Sequence, residues 1–309
     1  MDTFRGFLYA VLANITFGLI PLFTLPLYAA GLDFIVILTY RFLPAAAVLL
    51  LAMLFKKVSF RLRKGEFGLL LFLSVLYNGT AYFLFCSYKY LASGVTTALQ
   101  MIYPIMVMFI AMFVFKEPRR KSMFVAAAMA LLGVAFFSFG EYAQGANLFG
   151  VLLSLLAATL YAIYIVCINH SQLKYINSVK MIFYVMLLSG VFFAALALSG
   201  RETLALPDVK SGVNVLLLAV LSTAVPALSL TKAIKKAGSI ITSLMGCLSP
   251  ATAIIVGILV FGERFTQTIA TGMAFVFTSL LIVIFSNGID GHIKGVINRM
   301  VGHLGFRLR

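Results

Sequence analysis

The chain has 309 residues, of which 62% are hydrophobic and 11% charged, and its mean hydropathy is +1.08. That is far too apolar to be hidden in a soluble core, so the chain must use lipid as part of its solvent. The formal net charge of +15 has no soluble basic domain to sit on, which argues against a nucleic-acid-binding surface and leaves cationic loops facing an anionic leaflet.

At about 20 apolar residues per crossing, ten spans are expected: 7–28, 34–55, 67–88, 94–115, 122–139, 148–168, 179–198, 213–230, 239–261 and 267–285. The first run is longer than a signal-peptide core and is followed at once by others, so it reads as a retained helix. Long apolar runs without ten-residue alternation argue against an outer-membrane barrel. The nine acidic residues all lie between spans or at their ends, as the cost of a carboxylate in hydrocarbon requires. Between spans, nineteen Lys and Arg fall on the side of the amino terminus and four, Lys89, Arg201, Lys210 and Arg264, on the other. This asymmetry predicts that both termini are cytoplasmic.

Span four has a marked design, SGVTTALQMIYPIMVMFIAMFVFKE from Ser93 to Glu117, and it returns 146 positions later as SIITSLMGCLSPATAIIVGILVFGE from Ser239 to Glu263. Pro104 lies over Pro250, Thr96 over Thr242 and Glu117 over Glu263, with 13 residues from proline to glutamate both times. Span one resembles span six at a shift of 144. A repeat of this kind predicts a duplicated structure: residues 1–145 as a first five-helix unit, 146–288 as a second, and 289–309 as a basic tail. The tail has the pattern of a short amphipathic helix on the inner leaflet, or of a chain without fixed structure. Five is an odd number, so the second unit enters the membrane from the opposite side. The expected fold is therefore an all-α membrane protein of ten transmembrane helices in two inverted five-helix repeats, a design that secondary transporters use for alternating access.

Candidate residues follow from chemistry that is costly in lipid. Pro104 and Pro250 each remove a backbone hydrogen bond, and the freed carbonyl needs a neighbour, water or a ligand; a static kink and a place on the transport path both fit. Pro21, Pro26, Pro44 and Pro226 are weaker cases. Arg41 is the one charge well inside a span. It either snorkels or bonds a carbonyl near a kink, or it faces a cavity and meets a substrate carboxylate. Thr96, Gln100 and Tyr103 share one helical face, and a polar stripe in a bilayer needs a helix partner or a wet cavity. Asn14, Asn78, Tyr82, Tyr161 and Ser249 complete the cavity candidates, with interhelical glue as the alternative for each hydroxyl. Glu117 and Glu263 are read as clamps to helix starts or to Arg119 and Arg264. No span has a carboxylate or histidine, so proton coupling stays open and would use helix-end groups, tyrosines or the substrate's own protonation. Cys86, Cys167 and Cys247 lie inside apolar runs without metal-site spacing. No nucleophile, P-loop or metalloprotease motif is present, so neither a catalytic residue, a metal nor a cofactor is expected.

The TTALQMIYP and TSLMGCLSP starts of spans four and nine, with the terminal FKE and FGE, are similar to those of the drug/metabolite transporter superfamily, EamA type. The likeness covers nearly all of residues 1–290. It implies a polytopic inner-membrane carrier of a small-molecule substrate, often an exporter of amino acids or related metabolites, and it does not name the substrate or the oligomeric state. The alternatives are a membrane enzyme or lipid-handling protein, which needs a polar catalytic cluster at one membrane face, and a receptor or scaffold, which needs a solidly packed centre.

Overall fold

The computed structural model describes residues 2–63, 65–87, 90, 96, 99–117, 121–139, 147–261 and 266–285. Thr97, Arg119, the junction near residue 145, Glu263, Arg264 and the tail 289–309 lie outside the described residues. All regular structure among the described residues is helical. Span one consists of α1 (Asp2–Gly18) and α2 (Ile20–Ala29), followed by α3 (Phe34–Phe55), α4 (Glu66–Ser87), α5 (Tyr103–Phe109), α6 (Lys121–Phe139), α7 (Leu148–His170) and α8 (Ser178–Ser199). Span eight is α9 (Val209–Ala219) and α10 (Val225–Ala237), span nine is α11 (Ser239–Leu244) and α12 (Leu248–Phe261), and α13 (Gln267–Ile284) closes the bundle.

Seven helices are long and apolar enough to cross a membrane, and three shorter apolar ones coincide with expected spans four, five and ten. Large apolar side chains such as Leu71, Phe72, Phe109, Phe113, Leu152 and Val191 point outward. In water they would form an aggregating surface; around a bundle in lipid they are the surface that meets the acyl chains.

The repeat reaches individual hydrogen bonds. Helices α3 and α8 each have 22 residues and begin 144 positions apart. Each starts with a short polar cap: Asp33 Oδ1 accepts from the Ile35 N–H at 2.8 Å, and Asn177 Oδ1 accepts from the Val179 N–H at 2.9 Å. Each ends with a cationic residue at positive φ, Lys57 at 51° and Arg201 at 57°. The next amide then returns to the helix at 2.9 Å in both, Val58 to the Met53 carbonyl and Glu202 to the Ala197 carbonyl, closing the last turn with a left-handed residue.

The most extensive helix contacts join α3 to α8, α6 to α13, α1 to α10 and α4 to α7. In span numbers these are two with seven, five with ten, one with eight and three with six. Exchanging every span with the one five places away returns the same four pairs. Small residues allow these approaches. A Cβ on Gly190 of α8 would meet Leu43 Cδ2 at 2.6 Å, and one on Gly133 of α6 would meet Val276 Cγ2 at 2.7 Å and the Gly272 carbonyl oxygen at 2.8 Å. Across that second crossing, Ser279 donates to the Ala126 carbonyl at 2.7 Å.

A reciprocal pair of ties lies outside these interfaces. Tyr40 of α3 donates its hydroxyl to the Leu204 carbonyl in the segment after α8, and Tyr184 of α8 donates to the Phe60 carbonyl in the segment after α3, both at 2.8 Å. Tyr40 and Tyr184 are 144 apart in sequence, as are Phe60 and Leu204. Among the described residues the second tie alone is reinforced: Lys180 Nζ donates to the Arg61 carbonyl and lies 3.7 Å from Glu66 Oε2, while the positions matching Lys180 and Glu66 hold Val36 and Lys210.

The backbone oxygen of Gly272 cannot move out of the way of a side chain on Gly133. Gly133→Ala is therefore expected to destabilise the bundle by about 1–3 kcal/mol, read as a lower melting temperature in detergent. Gly68→Ala, at a helical position with nothing within 4 Å of its added Cβ, is the matched control and is expected to melt no lower than the parent, because alanine is the better helix former.

Candidate functional site

The spans are interrupted where their sequences place proline. Span one breaks between Gly18 and Ile20, just before Pro21. Span four turns at residues 101–102 before Pro104, and span nine narrows to a 3₁₀ turn over Met245–Cys247 before Pro250. At the shift of 146 these two breaks nearly coincide. Span eight passes through a π-helical turn, Val220–Ala224, immediately before Pro226, and a second π turn, Ile110–Val114, follows α5. Each irregularity exposes carbonyls that must find a donor.

Those donors are site candidates. Tyr103, buried, donates its hydroxyl to the Ser243 carbonyl at 3.1 Å, just before the break of span nine. Gly246 makes this possible, since a Cβ there would lie 1.7 Å from Tyr103 Oη. Ser249 Oγ donates to the Asn14 carbonyl at 3.0 Å and also lies 3.2 Å from Asn14 Oδ1, while Asn14 Nδ2 bonds the Ala10 carbonyl at 2.8 Å. Thr223, in the π turn, donates to the Leu218 carbonyl at 2.9 Å. Its oxygen in turn accepts from Arg41 Nε at 3.1 Å, so Arg41 is tied to span eight across the bundle.

Between these repairs runs a band of aromatic rings. Phe193 stacks on Phe42 (centroids 5.6 Å apart), Phe42 meets Tyr77 edge-on (5.7 Å), Tyr77 meets Tyr164 (5.1 Å), Tyr164 stacks on Tyr161 (6.0 Å) and Tyr161 meets Tyr103 edge-on (4.8 Å). The Arg41 guanidinium sits 5.6 Å from the centre of the Phe42 ring. Such contacts each contribute about 0.5–1.5 kcal/mol beyond simple burial, and together they stiffen the band. Most of its rings are buried, whereas Tyr161 and Arg41 are partly accessible.

The structure thus gathers Arg41, Tyr103, Tyr161 and, through the span-nine break, Ser249 and Asn14. Pro104 and Pro250 are buried beside them in sequence. Asn78, Thr96 and Gln100 are buried, and Asn78 Oδ1, Thr96 Oγ1 and Gln100 Oε1 have no partner among the described residues. Buried oxygens in that condition are completed by water or a ligand. Tyr82 is not brought in: it lies further along α4, edge-on to Phe83 at 5.7 Å. Tyr77 and Tyr164 belong to the band and Thr223 joins it through Arg41; the sequence offers all three only as polar side chains inside spans, with nothing to rank them above the others except, for Thr223, Pro226 three residues on.

Glu117 departs from the expected clamp to a helix start. Its Oε1 lies 2.7 Å from His170 Nε2 and accepts from Asn169 Nδ2 at 3.3 Å, at the carboxyl end of α7. His170, counted outside the spans by hydropathy, is the last residue of that helix and stacks on Phe115 with centroids 4.1 Å apart. An imidazole suits the negative end of a helix, and the carboxylate completes it. Among the described residues no group of three or more His, Cys, Asp or Glu could hold a metal ion, and the three cysteines are unpaired.

Comparison with known proteins agrees with this architecture. The model of the EamA-like transporter family matches twice, over residues 4–139 and 148–285. No curated protein matches. Among 29 similar solved chains, one, titled only as the crystal structure of a protein, superposes with a TM-score of 0.79 at 15% identity, covering 94% of this chain and 98% of that one; this likeness concerns the fold alone. With two family matches over most of its length and apolar helices able to cross a bilayer, the chain is a multi-pass membrane protein that belongs to the EamA-like transporter family.

Proposed function

We propose that the protein is a secondary transporter that moves a small metabolite, an amino acid or a related amphiphilic compound, across the inner membrane in the direction of export. Ten spans in two inverted halves, 1–145 and 146–288, hold the substrate between them in alternating access, with both termini in the cytoplasm. The observation that carries this reading is the exchange symmetry of the helix pairs together with the reciprocal ties of Tyr40 and Tyr184. A pair of equivalent contacts, one per half, is what inverted repeats need in order to loosen one face while holding the other. The positive-inside asymmetry assigns the Tyr184 tie to the cytoplasmic face and the Tyr40 tie to the outer one.

The cavity candidates Asn14, Arg41, Asn78, Thr96, Gln100, Tyr103, Pro104, Tyr161, Ser249 and Pro250 come from both halves. That suits a substrate held at the seam, where the broken spans one, four, eight and nine supply polar backbone. A purely structural scaffold has no use for four interrupted spans. Sealed proteoliposomes carrying the purified protein are expected to show counterflow of members of an amino acid and metabolite panel; absence of counterflow for the whole panel in correctly folded protein refutes the carrier reading.

The two tyrosine ties give a sided test. One hydrogen bond contributes about 0.5–1.5 kcal/mol, so its loss shifts a two-state balance by roughly two- to tenfold. Tyr184→Phe is expected to raise labelling of a single cysteine on the cytoplasmic side of the seam, and Tyr40→Phe that of one on the outer side. Equal effects of both variants on both faces contradict the assignment. At the seam itself, Gly246→Ala must push the Tyr103 ring aside, and counterflow is expected to fall by roughly tenfold or more, with partial recovery in the Gly246→Ala, Tyr103→Phe double variant because the colliding hydroxyl is gone.

A further inference from the structure

We infer that Arg41 and the tyrosines of the adjoining band form a site for a small organic monoanion with an apolar or aromatic body; this rests on the proposed reading of Arg41, Tyr103 and Tyr161 as part of the transport seam. The starting point is an unbalanced charge. The ion pairs among the described residues are Glu117 with His170 and Lys180 with Glu66, all at helix ends. No acidic residue lies inside an expected span, and among the described residues no carboxylate pairs with Arg41. A guanidinium partly removed from water and left without a counter-charge is costly, and the anion that offsets it comes from outside the chain.

The geometry says which kind of anion. Thr223 spends its hydroxyl proton on the Leu218 carbonyl and accepts from Arg41 Nε. It therefore orients the guanidinium through one N–H and leaves the two Nη groups without a protein acceptor among the described residues. Two parallel N–H donors on a rigid plane match the two oxygens of a carboxylate or sulfonate. The partly accessible Tyr161, backed by Tyr103 at 4.8 Å and Tyr164 at 6.0 Å, offers a ring surface for the body of the ligand.

Charge counting separates a monoanion from a zwitterion. A carboxylate on Arg41 brings the site to net zero. An added ammonium restores a positive charge in a place with no acid to receive it, close to a guanidinium that repels it. Within the amphiphilic metabolites proposed above, the site thus narrows the choice to the related organic acid rather than the amino acid itself, and a neutral amide gains nothing from the fork.

The test is calorimetric titration of the detergent-solubilised full chain with 3-phenylpropionate, 4-methylpentanoate and benzenesulfonate, against 3-phenylpropionamide and phenylalanine. The anions are expected to bind at least about tenfold tighter than the amide and than phenylalanine. Arg41→Gln is expected to bring the acids down to the amide's affinity without changing the amide. Arg41→Lys, which keeps charge but loses the fork, is expected to fall between. The inference is overturned if acid and amide bind alike, if phenylalanine binds tightest, if no anion binds, or if Arg41→Gln leaves the acids unaffected. Should Arg41→Gln fail to fold, the acid-to-amide contrast in the parent and in Arg41→Lys still decides. Counterflow in proteoliposomes separates the two readings: transport without charge preference removes the anion site and keeps the carrier, whereas charge-selective binding without counterflow does the reverse.

Discussion

In hydrocarbon no backbone N–H or C=O can be left to the solvent, so every interruption of a spanning helix has to be repaired by another part of the protein. This constraint organises the molecule. Spans one, four, eight and nine are all interrupted, and the repairs come from side chains on other helices or on the same turn: Ser249 on the Asn14 carbonyl, Tyr103 on the Ser243 carbonyl, Thr223 on the Leu218 carbonyl. Each such repair brings a polar group to a depth where polar groups are otherwise excluded. The candidate site follows from these repairs, because a break that supplies carbonyls and the hydroxyl that satisfies them together make the only polar surface that lipid-embedded helices can present to a solute.

The duplication divides the work unequally. In the pair α3 and α8 the halves agree in length, cap, left-handed terminal residue and closing hydrogen bond, which is what a rigid frame requires. At the centre they part. The π turn over Val220–Ala224 corresponds, at the shift of 144, to a regular stretch of α4 in the other half, and Thr223 takes the position of Gly79. Arg41 likewise stands opposite Val185. A symmetric scaffold thus carries an asymmetric chemistry, and the asymmetric positions are the ones that meet: Arg41 of the first half bonds Thr223 of the second. A π turn is a costly local choice that recurs at functional positions, and here it aims one hydroxyl at one guanidinium.

Much of this could be read from the residues. Pro104 and Pro250 sit next to real breaks, because a missing N–H is a property of the residue itself and survives any packing. The helical character and the approximate span limits followed from hydropathy for the same reason. The band of rings did not. With 29 Phe and 13 Tyr, the presence of a tyrosine carries no information about which rings touch, and only packing selects Tyr77 and Tyr164. Thr223 is legible only as a polar residue inside span eight, because Pro226 predicts a disturbance there but not whether the helix answers with a kink, a 3₁₀ turn or an extra residue per turn. His170 was placed outside its span by polarity alone, yet Glu117 and the end of α7 hold it inside.

The two tyrosine ties are equal in geometry but not in company. Lys180 adds a bond to the Arg61 carbonyl and an ion pair to Glu66, and Glu66 Oε2 also accepts from the Arg63 N–H at 3.0 Å. The Lys180 and Glu66 side chains are largely shielded, at 11% and 14% exposure, so their attraction is screened less than that of a surface pair. The matching positions around the Tyr40 tie hold Val36 and Lys210, which cannot form the same acid–base pair. An exchange between two faces built on one pattern is balanced when the ties are equal, and any surplus on one side sets the resting state without disturbing the symmetry of the motion. On the alternating-access reading proposed above, this surplus on the face rich in Lys and Arg favours the state closed there.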